Sequence, residues 1–136
     1  MMKLIQTTII ICLCMLTQAC HRTSRLEQIA EEARLFTQKQ CPFNVDPYTR
    51  MDSTTFDPSS LCYYYNYTVS DLLDNDSIYT EELCERFRQQ TLDEIRSSIQ
   101  LKGYKEAGLT LVYRYYSASS GRMIAEFEFP KEDYAN

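Results

Sequence analysis

Residues 61–69 constrain the fold more than any other segment, because aromatic and β-branched side chains follow one another there without a charge. Residues of these types favour a pleated strand. The turn signal Asp57-Pro58 stands before this run, and residues 49–56 ahead of the turn are again rich in β-branched side chains. The two segments are therefore expected to form a β-hairpin.

A helix is expected ahead of this hairpin. Ser24 followed by Glu27 has the pattern of a capping box, and apolar side chains recur at helical spacing from Leu26 onward. Pro42 prevents the helix from continuing, because the residue before a proline disfavours helical backbone angles. The predicted helix covers residues 25–39.

A second helix is expected after the hairpin. Thr80 is its predicted N-cap, and Glu81 and Glu82 complement the positive end of the helix dipole. Gly103 is the predicted end of this helix, because glycine commonly follows the last helical turn.

A second hairpin, residues 109–116 and 122–129 around a loop that contains Gly121, completes the order helix, hairpin, helix, hairpin (αββαββ). The economical arrangement is an α+β fold with two helices on one face of a four-stranded antiparallel sheet. Residues 25–136 are long enough for a single domain of this kind with one core.

Period-two alternation assigns one face of each strand to the helices and the other to solvent. The tyrosines of the helix side are expected to pack in the core. The solvent side is a candidate protein-binding face, because tyrosine and arginine are enriched at interfaces. The alternative is a solvated face on which Arg114 pairs with Glu126 or Glu128. The predicted open face consists of Tyr64, Asn66, Thr68, Val112, Arg114, Tyr116, Ile124, Glu126 and Glu128.

The N-terminus has the order of an export signal: Lys3, the apolar residues 9–16, then small residues before Cys20. The apolar run is shorter than the roughly 20 residues that span a bilayer. We therefore expect a signal peptide over residues 1–19. Cys20 directly after the cut resembles a bacterial lipobox, which predicts lipidation of Cys20, a tether over residues 20–24 and a periplasm-facing place in the cell envelope. The alternative is a soluble secreted protein with an unmodified Cys20 thiol.

The formal net charge is −5, and the chain lacks a basic cluster in its sequence. This balance argues against nucleic acid as a partner and against electrostatic docking on anionic lipid. The expected partners are the membrane, through the lipid anchor, and a periplasmic protein. No cofactor or metal is expected.

Three further cysteines, Cys41, Cys62 and Cys84, are spaced too widely for a zinc site. Cys62 and Cys84 are expected on opposite sides of the sheet, too far apart for a disulfide. One interpretation is therefore a Cys41–Cys84 disulfide with Cys62 free. The other leaves all three cysteines reduced, as small apolar residues.

Catalytic chemistry is poorly represented. The single histidine, His21, adjoins the predicted anchor, so a histidine-based nucleophile triad is excluded from the folded domain. Asp46 and Asp52 could share a carboxylate site with Arg50, although turn and strand-edge roles are the simpler interpretation.

Residues 41–53, Cys-Pro-Phe-Asn-Val-Asp-Pro-Tyr-Thr-Arg-Met-Asp-Ser, contain the pattern Pro-x-x-Val-Asp-x-x-Thr-Arg-x-Asp-Ser, and Tyr65-Asn66-Tyr67-Thr68 and Tyr113-Arg114-Tyr115 follow it. This set resembles a group of small, uncharacterised bacterial exported proteins. The resemblance implies a small envelope α+β domain and transfers no catalytic residue. The pattern residues Asp46, Thr49, Arg50 and Asp52 are expected to form a hydrogen-bonded turn that fixes the first strand, with a binding role as the alternative.

The leading functional hypothesis is a non-enzymatic envelope lipoprotein that binds another protein through the open sheet face, as an inhibitor or immunity-type protein does. The second is a structural or accessory subunit of an envelope complex. The third, from another class, is a carboxylate-dependent hydrolase, which the shortage of histidine disfavours.

Overall fold

The structure, a computed structural model, describes residues 21–135. The signal peptide predicted for residues 1–19 and the lipidation predicted at Cys20 lie outside them. The helices are α1 (Met2–Gln40, described from His21), α2 (Glu81–Ser97), α3 (Lys102–Glu106) and α4 (Lys131–Tyr134). The strands are β1 (Phe43–Asp46), β2 (Thr49–Asp57), β3 (Cys62–Val69), β4 (Thr110–Ser117) and β5 (Met123–Phe129), and two 3-10 turns lie between β3 and α2.

The two long helices lie close to their predicted positions, but their ends correct two predictions. Ser24 lies inside α1 and is not its N-cap, because the helix already begins upstream. α2 begins as predicted, with the Thr80 hydroxyl accepting a hydrogen bond from the Leu83 amide at 3.3 Å. It ends at Ser97 rather than near Gly103, since Ser98 turns extended and its hydroxyl accepts a hydrogen bond from the Leu101 amide.

The α+β class is confirmed, but the sheet has five strands in the order β1-β2-β3-β4-β5 and is not purely antiparallel. β3 and β4 are parallel neighbours, with Tyr64 opposite Val112 and Asn66 opposite Arg114. The reason is the crossover. The connection that contains α2 returns the chain to the end of the sheet at which β3 begins, so β4 runs in the same direction as β3.

The fifth strand, β1, was not predicted. It has four residues, all exposed, and forms an antiparallel hairpin with β2 at the edge of the sheet. Pro42 and Pro47 flank it. Its sequence, Phe-Asn-Val-Asp, does alternate apolar and polar side chains, but four residues between two prolines are too few for the alternation to predict a strand.

The core lies between the helices and one face of the sheet. Ile29 and Ala33 of α1, Leu92 and Ile95 of α2 and Tyr134 of α4 close over it. The sheet contributes Tyr63, Leu111 and Phe129, with Leu109 just before β4. Among the residues described, no helix is long and apolar enough to cross a bilayer.

Candidate functional site

The predicted open face of the sheet is stabilised by its own ion pairs and hydrogen bonds. The Arg114 Nε lies 2.6 Å from Glu126 Oε2, which confirms the predicted cross-strand pair, and the same guanidinium lies 4.1 Å from the centre of the Tyr64 ring. The hydrogen bond to Glu126 is the main cause that raises the pKa of Arg114. The cation of this face is therefore held between an acid and an aromatic ring of the same chain.

The polar neighbours are bonded in the same way. The Asn66 amide donates to Ser53 Oγ at 3.2 Å, and the Thr68 hydroxyl donates to Asp52 Oδ2 at 2.5 Å. Tyr116 and Ile124 are half-buried, and Glu126 and Glu128 are exposed. Val112 departs from the prediction, because it is 1% exposed although it lies on this face, between Tyr64 and Glu128 of the neighbouring strands.

A bulge after Tyr115 changes one further assignment. It places Met123 opposite Tyr116, and Met123 is 49% exposed where alternation predicted a core side chain. An extra residue on one strand shifts the alternation beyond it, so a pattern carried through a bulge assigns the wrong face.

The residues of the Pro-x-x-Val-Asp pattern do not share one site. Asp46 accepts a hydrogen bond from the Tyr48 amide at 2.8 Å in the turn between β1 and β2, and Thr49 is buried. Arg50 and Asp52 pair at 2.6 Å on the open face. The two carboxylates thus lie on different sides of the sheet, and the two-carboxylate site considered from the sequence is not formed.

A groove on the helix side, which we call the tyrosine groove, was not predicted. It lies over β3 and β4, between α2 and the edge of the sheet that β1 forms, and its volume is about 460 Å³. The lining residues are Val45, Asp46, Thr49, Tyr67, Val69, Leu73, Ile78, Tyr79, Leu83, Cys84, Phe87, Gln90, Thr91, Glu94, Tyr113, Tyr115 and Phe127.

The floor of the groove is a ladder of stacked tyrosines. The ring centres of Tyr67 and Tyr115, which are partners across the parallel pair, are 5.0 Å apart, and the ring planes are nearly parallel, at 12° to each other. Tyr65 stacks on Tyr113 at 4.8 Å. Phe87 of α2 closes one side, with its ring perpendicular to that of Tyr115 and the two ring centres 5.7 Å apart. Stacked rings at these distances form a rigid surface.

The ladder leaves polar groups facing the groove. Among the described residues, the hydroxyls of Tyr67, Tyr113 and Tyr115 form no hydrogen bond within the protein, yet no fully buried side-chain oxygen lacks a partner. These hydroxyls are therefore open to the groove. Desolvation raises the pKa of all three phenols, in Tyr113 to about 12. The hydroxyls stay protonated at neutral pH and can both donate and accept.

The rim of the groove is apolar and acidic. Val45 on one side is 54% exposed and Leu83 on the other is 38% exposed. Asp46 and Glu94 are the charged members of the lining, and the residues that line the groove include no lysine, arginine or histidine. The groove therefore suits a ligand with apolar anchors and positive charge.

Of the two interpretations of the cysteines, the structure has the reduced one: Cys41, Cys62 and Cys84 are free, half-buried thiols, and the Cys41–Cys84 disulfide is not formed. Cys41 follows the end of α1, which packs on β2, whereas Cys84 lies in the first turns of α2 and lines the groove. Burial, and next the Asp52 carboxylate, raise the pKa of the Cys41 thiol, which makes it less reactive. No group of histidine, cysteine or carboxylate side chains in the described part of the chain is arranged to hold a metal ion.

Residues 24–125 match the model of a protein family described as a domain of unknown function, DUF8479. The chain belongs to this family. No curated protein matches it in sequence.

Solved structures with the fold of this DUF8479 protein include a secreted protein, PA3611, from Pseudomonas aeruginosa, with a TM-score of 0.65 and 14% identity over 83% of this chain and 92% of that one. The pilotin EpsS of the Vibrio vulnificus type II secretion system has a TM-score of 0.59 and 8% identity over 83% and 94% of the two chains. The type II secretion pilotin AspS of Vibrio cholerae has a TM-score of 0.58 and 13% identity, over 85% and 97%.

One signal in the DUF8479 sequence could have pointed to the groove. Tyr63, Tyr65 and Tyr67 alternate on one strand and Tyr113 and Tyr115 on another, so five phenols fall on the helix side. A core made only for packing has little use for so many hydroxyls, since each needs a partner when buried. The excess indicates a face that the helices only partly cover.

Proposed function

We propose that the protein is a non-enzymatic accessory protein of the bacterial envelope, tethered by lipid on Cys20, which binds an apolar segment of another envelope protein in the tyrosine groove. The observation that carries the proposal is the groove itself. Stacked rings provide a preformed apolar floor, and the free hydroxyls of Tyr67, Tyr113 and Tyr115 provide polar contacts without any rearrangement.

The lining indicates the chemistry of the partner. Rigid aromatic surfaces bind at a low entropic cost, because few rotatable bonds are fixed. Asp46 and Glu94 at the groove favour an apolar segment flanked by lysine or arginine, and they would repel an acidic one. A volume near 460 Å³ accommodates a few side chains and not a whole domain, so the partner offers a short segment.

The fold supports an accessory role in preference to an immunity role. Two solved structures of this fold are pilotins of type II secretion systems, and a third is a secreted protein. These likenesses support an accessory role in the envelope, and at identities of 8–14% they show a common fold and not a common partner.

Binding through the open sheet face, by an inhibitor or immunity-type protein, is the competing version. Its strongest residue would be Arg114, which already pairs with Glu126 and covers Tyr64. A partner would have to break both contacts to engage this side chain, whereas the groove hydroxyls are open. The groove is therefore the better-supported surface.

Site-specific photo-crosslinking in cells separates the two surfaces. A benzophenone amino acid at Leu83 reports on the groove, and one at Thr55 reports on the open face. A third at Ile99, which lies beyond α2 and is 87% exposed, reports on random collisions. We expect one envelope protein to crosslink at Leu83 and not at the other positions. The same product from Thr55 alone would support the open face, and no product specific to either would contradict a protein-binding role.

A matched pair of substitutions tests the hydroxyls of the groove. Tyr115→Phe removes a groove hydroxyl that has no partner in the protein, so it should leave the melting temperature unchanged and weaken binding of the crosslinked partner about tenfold. Tyr64→Phe makes the same change on the open face and should leave the affinity unaltered. Equal affinities for all three proteins would show that the groove hydroxyls do not contact the partner.

A further inference from the structure

We infer that the end of the fold next to Cys20 contains a binding site for the headgroup of an anionic phospholipid. A second cavity lies there, with a volume of about 580 Å³. Its lining joins the start of the described chain to two distant segments: His21, Arg22, Arg25, Leu26, Glu106, Ala107 and Lys131. The inference rests on the lipid anchor of the proposed function and is independent of the groove.

Positive charge dominates this cavity although the chain as a whole is acidic. Arg22, Arg25 and Lys131 face a single carboxylate, Glu106, which lies 3.8 Å from Lys102. Among the described residues, neither Arg22 nor Lys131 forms an ion pair, and Arg25 makes a long one of 3.6 Å to Glu32. The absence of a basic cluster in the sequence was therefore misleading, because the fold assembles one from residues more than a hundred positions apart.

One glycine makes room for a cation of the cavity, and a second glycine lies beside another cation. A Cβ on Gly103 would lie 2.5 Å from the Arg25 Nη2, so the guanidinium occupies the space that any other residue would fill. A Cβ on Gly108 would lie 3.4 Å from the Lys131 Cδ, so the lysine stem crosses that glycine. The Arg25 guanidinium thus lies directly against the backbone of α3 at the cavity, and the Lys131 stem packs beside Gly108.

The position of the cavity selects the anion. A phosphate diester suits a site of two guanidinium groups and an ammonium group. His21 and Arg22 directly follow Cys20, so acyl chains on that cysteine would bring the headgroup region of the membrane to this cavity and not to the other end of α1, about 30 Å away. Phosphatidylglycerol and related lipids with a net negative headgroup fit this chemistry. Phosphatidylcholine carries the same phosphate diester, but the choline cation of its headgroup would be repelled by the three basic side chains.

The test uses the processed protein, extracted from membranes and reconstituted into bilayers of phosphatidylcholine alone or with phosphatidylglycerol. Intact mass first establishes the acyl chains, with Cys20→Ser as the unlipidated reference. The readout is the rate at which a water-soluble reagent acylates the Lys131 amine, with Lys39 at the far end of α1 as the internal control. We expect anionic lipid to slow the reaction of Lys131 about fivefold, the equivalent of about 1 kcal/mol for one engaged lysine, and to leave Lys39 unchanged.

Variants assign the effect to the cavity. Arg22→Gln with Arg25→Gln should abolish the protection of Lys131, and Arg34→Gln, on the same helix but outside the cavity, should preserve it. Gly103→Ala displaces only the end of the Arg25 side chain and should reduce the protection in a protein that melts normally.

Three results would overturn the inference. Equal rates in the two bilayers for an acylated protein would show that the headgroup is not bound. Protection by soluble glycerol phosphate in detergent, as strong as in the bilayer, would assign the cavity to a free phosphate compound. An extracted protein without acyl chains would show that the lipid anchor is absent. A failure of the groove experiments would not affect the result for this cavity.

Discussion

The two faces of the sheet use the same residue types in opposite ways. On the open face, Tyr64 is covered by Arg114, which is paired with Glu126, so the cation of this face is already engaged. On the helix side, Tyr67 and Tyr115 stack with each other and leave their hydroxyls unpaired over a groove. A face with many polar side chains is therefore not necessarily a binding face. What distinguishes the groove is that its unpaired hydroxyls are gathered on a concave floor of stacked aromatic rings.

The largest expected difference between the faces is in stability. Tyr63 is 3% exposed and contacts the rings of Phe56, Tyr65 and Tyr104, whereas its neighbour Tyr64 lies half-buried on the other face. Tyr63→Ala should lower the free energy of unfolding by about 3–5 kcal/mol, and Tyr64→Ala by about 1 kcal/mol. Urea unfolding of the two variants measures both, and similar losses would contradict the assignment of the faces.

The second-largest difference is expected at alkaline pH, which should lower the free energy of unfolding through a phenol on the helix side. The folded protein raises the pKa of Tyr113 from 10 to about 12, so between these values the folded phenol keeps a proton that the unfolded one has lost. The stabilising contribution is complete below pH 10 and is lost as the pH rises to 12, by up to about 2 kcal/mol. Tyr113→Phe should flatten this part of the pH–stability curve. A wild-type stability that stays constant over the interval would contradict the burial of this phenol.

The smallest effect is expected for the charges of the open face. Arg114 and Glu126 have side chains that are 32% and 29% exposed, so solvent screens their attraction. A double-mutant cycle with Arg114→Gln and Glu126→Gln should give a coupling free energy of about 0.5–1 kcal/mol. A coupling near zero would mean that the pair does not hold Arg114 over Tyr64, and the open face would then regain a free cation.

The features that were predictable from sequence are those set by local pattern. Alternation within 61–69 and 109–116 assigned the tyrosines to the correct faces, and Thr80 marked the start of α2. The parallel pairing was not predictable from the strands alone, because it depends on where the crossover returns the chain. β1 escaped detection because its alternation extends over only four residues between two prolines.

The two cavities lay beyond sequence analysis for different reasons. Alternation tells which residues lie on the helix side, but not how far α2 and β1 stand apart, and this separation makes the tyrosine groove. The basic cavity joins Arg22 to Lys131 through the packing of α3 and α4 near the start of α1, and no pattern in the sequence relates such distant positions.

The parallel pair at the centre of the sheet also determines how long β3 is exposed to aggregation during folding. The partner of Cys62 is Thr110, so β3 waits for 48 further residues before its second edge is covered. Until then it presents an uncharged, tyrosine-rich strand, the kind of segment that pairs with copies of itself. Aggregation during synthesis or transport is thus the characteristic hazard of this topology, and a holding factor that masks residues 61–69 would raise the yield of folded protein.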